Sequence, residues 1–193
     1  MQLKTKVIVS GVTNLHDARY CAGMGVDMIA FPIHPNAGEF VNEQDFKEIV
    51  EWLSGPKFLA ELDDAHELNL SDYPIDGALT ANPALINQTT ASIILKITDL
   101  ADASSIMERY ESLVEGFLVE TEGALPEEQQ KQLIDLCQTY TIYLGAGIDK
   151  DNVNELLDSI KPAGIGLKGS KEIKVGYNDF DGLADVLEEI EVY

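Results

Sequence analysis

The chain of 193 residues has little cysteine and no long apolar run, and these absences exclude several classes of protein. Its two cysteines, Cys21 and Cys137, are too few for a disulfide framework and lack metal-ligand spacing, so we expect buried helix thiols. No apolar run reaches the about eighteen residues that a membrane span needs, and the N-terminal residues lead directly into a strand. We therefore predict neither a membrane span nor an export signal, and we expect a cytoplasmic protein.

Basic residues are also scarce, with 13 Lys and Arg against 34 Asp and Glu, which gives a net charge of -21. Such a chain has no basic stripe to neutralise phosphates, so nucleic acid and anionic membranes are not expected as partners. An anionic small ligand would have to be held by local amides and one or two lysines against the overall field. Each lysine near the end of a strand is therefore informative.

The stretch of residues 7–17 sets a pattern that recurs along the chain. Three β-branched residues predict a strand, Ser10 and Gly11 end it, and Asn14 with Asp17 predicts a helix N-cap with a capping-box partner. The same strand-to-helix pattern recurs seven more times, which indicates parallel strands covered by helices. The predicted strands comprise residues 7–10, 28–31, 57–62, 75–80, 92–97, 114–119, 141–144 and 164–167.

These eight units predict an α/β fold, a single compact (βα)8 TIM barrel whose one domain spans residues 1–193. At this length the third helix, around residues 65–70, and the fourth, after Asn82 and Pro83, must be short. The alternative is an open doubly wound sheet, but eight nearly equal units without a topological break favour a closed barrel.

A barrel brings the ends of its strands to one face, which makes the residues just past each strand the candidates for chemistry. The topology gives one set of candidates: Ser10, His34, Glu61, Thr80, Lys96, Glu120, Gly145 and Lys168.

Small residues follow the seventh and eighth strands, where barrels commonly bind phosphate. There backbone amides can approach an anion and a lysine can supplement them, and the residues concerned are Gly145, Ala146, Gly147, Lys168, Gly169 and Ser170. The alternative is two ordinary glycine-containing turns.

For three polar residues, His34, Glu61 and Asp63, the sequence leaves two interpretations open. His34 is the candidate whose ordinary pKa is closest to neutrality, so it is a possible base, or else a surface loop histidine. Glu61 and Asp63 are either carboxylates of the pocket or helix caps.

The whole chain resembles the phosphoribosylanthranilate isomerase family, the (βα)8 enzymes of tryptophan biosynthesis. Residues 8–18 align with the segment Lys-x-Cys-Gly-Ile-Thr-Asn-x-x-Asp-Ala of that family, and residues 35–41 align with Pro-x-Ser-Pro-Arg-aromatic-Val without a gap. Residues 144–148 resemble Leu-Ala-Gly-Gly-Leu, Val119 and Glu120 resemble a Leu-Asp pair, and residues 168–172 loosely match Ser-Ser-Gly-Val-Glu.

The resemblance implies an Amadori rearrangement. An acid protonates the ribose ring oxygen, the ring opens to a Schiff base, and a base removes the proton from the adjacent carbon. The family's base, a Cys, is Ser10 here, and its acid, an Asp, is Glu120. The family's Lys two residues before the Cys is Ile8, and the loop Arg that helps hold the substrate is Glu39.

The scaffold thus matches the family better than the catalytic positions do. A glutamate can serve as the acid, but a serine hydroxyl needs a partner to accept its proton. The sequence leaves two functions open: this isomerisation with a shifted base, or a phosphate-binding barrel that acts on another phosphosugar or only binds a ligand. We expect a small phosphorylated sugar-type ligand, no cofactor, no metal ion, and a monomer or homodimer.

Overall fold

The computed structural model describes residues 1–35, 40–62, 70, 73–121, 123–174, 177–179 and 181–192. Eight parallel strands close into a barrel, which confirms the predicted fold over an open sheet. The first strand pairs with the second through Ile8 and Met28, and with the eighth through Ser10 and Lys168. In chain order the barrel strands are Lys6–Ser10, Met28–Pro32, Lys57–Glu61, Gly77–Thr80, Ser92–Ile97, Gly116–Val119, Ile142–Leu144 and Gly164–Lys168.

Six α-helices, α1 to α6 in chain order, connect these strands in the described part of the chain. They are Leu15–Met24, Glu43–Val50, Ala103–Tyr110, Glu127–Cys137, Val153–Ile160 and Asp181–Glu189. The fourth connection holds only the 3₁₀ helix Pro83–Asn87, as its predicted shortness requires. Residues 65–69 of the predicted third helix lie outside the described residues. None of the described helices combines the length and apolar character that crossing a bilayer requires.

Two short antiparallel pairs accompany the barrel, and the sequence patterns did not predict them. Gln2–Leu3 pairs with Glu191–Val192, which joins the two ends of the described chain. Lys171–Lys174 pairs with Tyr177–Asp179 and forms a hairpin between the eighth strand and α6.

Inward-facing apolar side chains fill the middle of the barrel, while a second set packs between the strands and the helices. Strand eight contributes no side chain there, because Gly166 lies where a Cβ would approach Leu118 Cδ1 to 2.3 Å. The inner cluster comprises Ile8, Met28, Ala30, Leu59, Leu79, Ile94, Leu118 and Tyr143. Because the middle of the barrel is packed, side chains that carry chemistry can lie only at the next inward position, two residues further along each strand.

Candidate functional site

Charged side chains occupy the carboxyl-terminal mouth of the barrel. Successive side chains of a strand alternate between its two faces, so the residue two positions after an inward apolar residue also points inward. These inward strand-end positions form a staggered ring, in which Ser10 lies beside Lys168, whereas Lys96 lies beside Leu118, two residues before Glu120. The ring holds Ser10, Glu61, Lys96, Glu120 and Lys168, all of which are among the predicted strand-end candidates.

Glu120 and Lys168 form an ion pair at one side of this mouth. Lys168 Nζ lies 2.6 Å from Glu120 Oε1. The Lys168 side chain is 54% exposed and that of Glu120 is 18% exposed, so the lysine reaches from the carboxylate toward solvent. Both line a cavity of about 370 Å³ that opens at the ends of strands seven and eight. A carboxyl group and a cation thus meet in one open site.

Six of the twelve residues that line this cavity are glycines, and four others carry apolar side chains. Gly147 has φ of +61°, and a Cβ there would lie 2.9 Å from the carbonyl oxygen of Gly123. A Cβ on Gly169 would lie 2.9 Å from the carbonyl oxygen of Gly11. Side chains at these positions would collide with neighbouring backbone, so the loops pack tightly and leave their main chain facing the cavity. Such a surface suits an anion that binds backbone amides.

The residues predicted to bind phosphate do not all line the cavity. Gly145, Gly147, Lys168 and Gly169 line the cavity, whereas Ala146 is fully buried in the core between the strands and the helices. Ser170 is buried and donates its backbone N–H to Asp17 Oδ2 at 2.9 Å and its hydroxyl to the same oxygen. Ser170 thus ties the loop after strand eight to α1.

Ser10 lies at the end of strand one with its side chain fully buried. Its hydroxyl donates to the carbonyl oxygen of Leu167 at 3.3 Å, and its own carbonyl accepts from Gly169 N–H at 2.7 Å. Within the described ranges, Ser10 has no hydrogen bond to a histidine or a carboxylate. The hydroxyl is therefore bonded to the backbone, and the part of the chain that the structure describes places no side chain to take its proton.

Glu61 and Lys96 form a second, buried ion pair on the opposite side of the mouth. Glu61 Oε1 lies 2.9 Å from Lys96 Nζ, and the two side chains are 10% and 5% exposed. The second oxygen, Oε2, accepts the N–H of Gly11 at 2.8 Å. The strand-end rule found both residues but not their pairing. In the sequence, each of the two residues is recognisable as a charged residue at an inward position near the end of a mainly apolar strand.

The remaining candidates do not add to this geometry. His34 is half-buried in the segment after strand two, Thr80 is buried, and Glu39 and Asp63 lie outside the described residues. Burial raises the pKa of Cys21 to about 12 and that of Cys137 to about 11, so neither thiol is suited to be a nucleophile. Among the described residues, no group of three or more His, Cys, Asp or Glu side chains could hold a metal ion.

Comparison with curated proteins finds two relatives that match almost the whole chain. One is the N-(5'-phosphoribosyl)anthranilate isomerase of Aquifex aeolicus, 23% identical over 91% of this chain and 93% of the relative. The other is the enzyme of the same name from a Sulfurihydrogenibium species, 24% identical over the same shares. No protein-family model matches the chain.

Solved structures of proteins with the same name have the same fold. The phosphoribosyl anthranilate isomerase of Thermus thermophilus superposes with a TM-score of 0.78 at 18% identity and covers 96% of this chain and 98% of its own. A phosphoribosyl anthranilate isomerase in complex with reduced 1-(o-carboxyphenylamino)-1-deoxyribulose 5-phosphate has a TM-score of 0.76, 16% identity and the same coverage. The predicted resemblance to these isomerases is therefore confirmed by the sequence relatives, and the predicted barrel fold by the solved structures.

Proposed function

From its relationship to the phosphoribosylanthranilate isomerases, we propose that this protein catalyses their reaction, the Amadori rearrangement of N-(5'-phosphoribosyl)anthranilate in tryptophan biosynthesis. The observation that carries the proposal is the cavity in which Glu120, at the family's acid position, pairs with Lys168. A carboxyl group at an open cavity can take up a proton when its lysine partner is drawn away, and can then give that proton to a ribose ring oxygen.

The phosphate group of the substrate would bind in the same cavity. The glycines after strands seven and eight present backbone there, and Lys168 is the cation that accompanies it. A phosphate that draws Lys168 toward itself would also take it away from Glu120. The bound ligand would then change the environment of the acid at the start of the reaction. A small phosphorylated sugar is the ligand that this proposal requires.

The base is the open part of the mechanism. Ser10 stands at the family's base position, and His34 is the second candidate, since an imidazole accepts a proton near neutrality. The serine hydroxyl is bonded to a carbonyl oxygen and cannot by itself remove a proton from carbon.

The Ser10 hydroxyl, which is bonded to a carbonyl oxygen and cannot act as the base, favours a second function, a barrel that binds phosphosugars without this activity. A chain that had lost its base while it retained a glycine-lined cavity would still bind the ligand. Cytoplasmic location and a monomeric or homodimeric state stay predictions.

The test uses the fluorescence of freshly prepared phosphoribosylanthranilate, which disappears when the substrate rearranges. We expect the protein to remove this fluorescence and Glu120→Gln to slow the removal roughly 10²- to 10⁴-fold, the usual contribution of a general acid. Glu115→Gln is the matched control, because Glu115 pairs with Lys57 at the other end of the barrel. No loss of fluorescence at high protein concentration would reject the isomerase proposal. A rise in melting temperature with inorganic phosphate would then support the binding function.

A further inference from the structure

We propose that Glu61 is the base of this site, held in place by Lys96 and by the N–H of Gly11. This inference rests on the proposed isomerisation and supplies the group that Ser10 lacks. It assigns to Glu61 the removal of the proton from the sugar carbon next to the Schiff base.

The position of Glu61 relative to the first strand is the first argument. Its Oε2 accepts from Gly11 N–H, the peptide group directly after Ser10. The carboxylate therefore reaches from strand three to the end of strand one, where the family's base stands. Asp27 also bonds to the first strand, but it accepts the N–H of Val7 at the opposite end of that strand.

The contact of Gly11 with Gly169, a residue that lines the cavity, is the second argument. Gly169 lines the cavity, and its Cα packs so closely on Gly11 that an added Cβ would lie 2.9 Å from the Gly11 carbonyl oxygen. Glu61 is hydrogen-bonded to the other side of the same Gly11. Glu120 lines the cavity itself, whereas Glu61 lies behind Gly11 and Gly169, so the proposal requires the sugar to extend from the cavity past Gly169.

The chemistry of the pair is the third argument. Two charges removed from water add little net stability, so a buried ion pair at this place is poorly explained as a structural device. In the pair the Lys96 ammonium has no lone pair to offer, which leaves the carboxylate as the group able to accept a proton. Lys96 is a positioning residue, because its bond to Oε1 fixes the direction of the carboxylate.

The proton transfers balance without another reactant. Glu120 gives its proton to the ring oxygen as the bond between C1 and that oxygen breaks, which leaves a protonated Schiff base. Glu61 then takes the proton from C2. The electrons of that C–H bond form a double bond between C1 and C2, and the electrons of the C=N bond move to nitrogen. The resulting enol becomes the ketone when C1 takes up a proton and the C2 hydroxyl loses one, which returns Glu61 and Glu120 to their starting states.

The experiment compares turnover with ligand binding in Glu61→Gln, an isosteric variant that keeps one oxygen, enough for either Gly11 or Lys96 but not for both. We expect kcat to fall roughly 10²- to 10⁴-fold. The dissociation constant of reduced 1-(o-carboxyphenylamino)-1-deoxyribulose 5-phosphate, measured by calorimetry, should stay close to that of the wild type. In Glu61→Ala, added formate should restore part of the turnover, since a free carboxylate can then take the proton.

Matched variants separate a catalytic role from a structural one. Lys96→Gln should lower kcat less than Glu61→Gln does, and the double variant should be no worse than Glu61→Gln alone. If Glu61→Gln does not fold, Glu61→Asp with formate-dependent Glu61→Ala gives the same test.

Three results would overturn the assignment. In the first, Glu61→Gln retains the wild-type kcat. In the second, Ser10→Ala or His34→Gln lowers kcat as much as Glu61→Gln or more. In the third, kcat and analogue affinity fall together and formate restores nothing, which would make the pair structural. A wild-type protein without turnover is a different failure, that of the proposed isomerisation itself, and the Glu61 assignment falls with it.

Discussion

At the scale of single residues, a buried carboxylate holds together two parts of the chain that are far apart in sequence. Asp17 lies in the first turn of α1 and is 1% exposed. Its Oδ2 accepts the backbone N–H of Ser170 at 2.9 Å and also the hydroxyl of Ser170. The loop after strand eight, which contributes Gly169 to the cavity, is thereby attached to α1.

We expect Asp17→Ala to lower the free energy of unfolding by about 2 to 4 kcal/mol, because it leaves a buried N–H and a buried hydroxyl of Ser170 without this acceptor. Urea unfolding followed by circular dichroism measures the change. Asp17→Asn, which keeps one oxygen, should cost less.

Asp45→Ala is the control for Asp17→Ala, since Asp45 also lies in the first turn of a helix but its side-chain bond to Asn42 is exposed. Its cost should stay below about 1 kcal/mol. Equal costs for the two alanine variants would show that the bond to Ser170 contributes nothing particular.

At the scale of elements, strand eight depends on two glycines for different reasons. A Cβ on Gly164 would lie 2.5 Å from the backbone oxygen of Lys6 and 2.7 Å from the ring of Tyr143. A Cβ on Gly166 would lie 2.3 Å from the terminal methyl Cδ1 of Leu118. Its next neighbours, which include the Cα of Gly145, would lie at an ordinary contact distance of 3.5 Å. Backbone of a paired strand cannot retreat, whereas a side-chain end can change its rotamer.

Gly164→Ala should therefore destabilise the protein more than Gly166→Ala. We expect a loss of about 1 to 3 kcal/mol for Gly166→Ala and a larger loss for Gly164→Ala, measured by urea unfolding. A second substitution, Leu118→Val, should recover part of the loss in Gly166→Ala, since the two side chains compete for one space, but nothing in Gly164→Ala. Recovery in both backgrounds, or in neither, would contradict this account of the barrel interior.

The elements also show what the sequence can and cannot predict. Asn14 accepts the N–H three residues on, as its N-cap pattern predicts, and Asn42 makes the same bond at the start of α2. The predicted capping box was wrong, because Asp17 bonds to Ser170 instead of returning to Asn14. Asp99 is a residue type that commonly begins a helix, but it accepts from Ala101 N–H in the turn before α3, and that helix begins at Ala103. A capping residue and a turn residue make the same local bond, so the sequence does not separate them.

The site was predictable in its strand-end positions but not in its pairings. The barrel topology placed Glu61, Lys96, Glu120 and Lys168 at the mouth, because that rule needs only the point in the chain where each strand ends. The two ion pairs join strands three and five and strands six and eight, which are not adjacent in the barrel. Such pairs depend on side-chain lengths and on the curvature of the barrel, and no local pattern in the sequence records them.

At the scale of the whole molecule, a protein with net charge -21 is proposed to bind a phosphorylated anion. The Lys168 ammonium acts at contact distance, whereas most carboxylates act on the ligand from far away. Salt weakens distant interactions first, since the screening length falls from about 30 Å at 0.01 M to about 8 Å at 0.15 M ionic strength.

Moderate salt should therefore strengthen binding at this site, opposite to the usual weakening of a salt bridge between ligand and protein. We expect the dissociation constant of the reduced phosphoribulose analogue to fall about 2- to 5-fold as KCl rises from about 0.01 to about 0.15 M. The double variant Glu48→Gln with Glu51→Gln, whose exposed carboxylates lie on and just after α2, should show a smaller effect because it removes two distant charges. If affinity instead decreases steadily with KCl in both proteins, the local contact with Lys168 outweighs the field of the whole molecule.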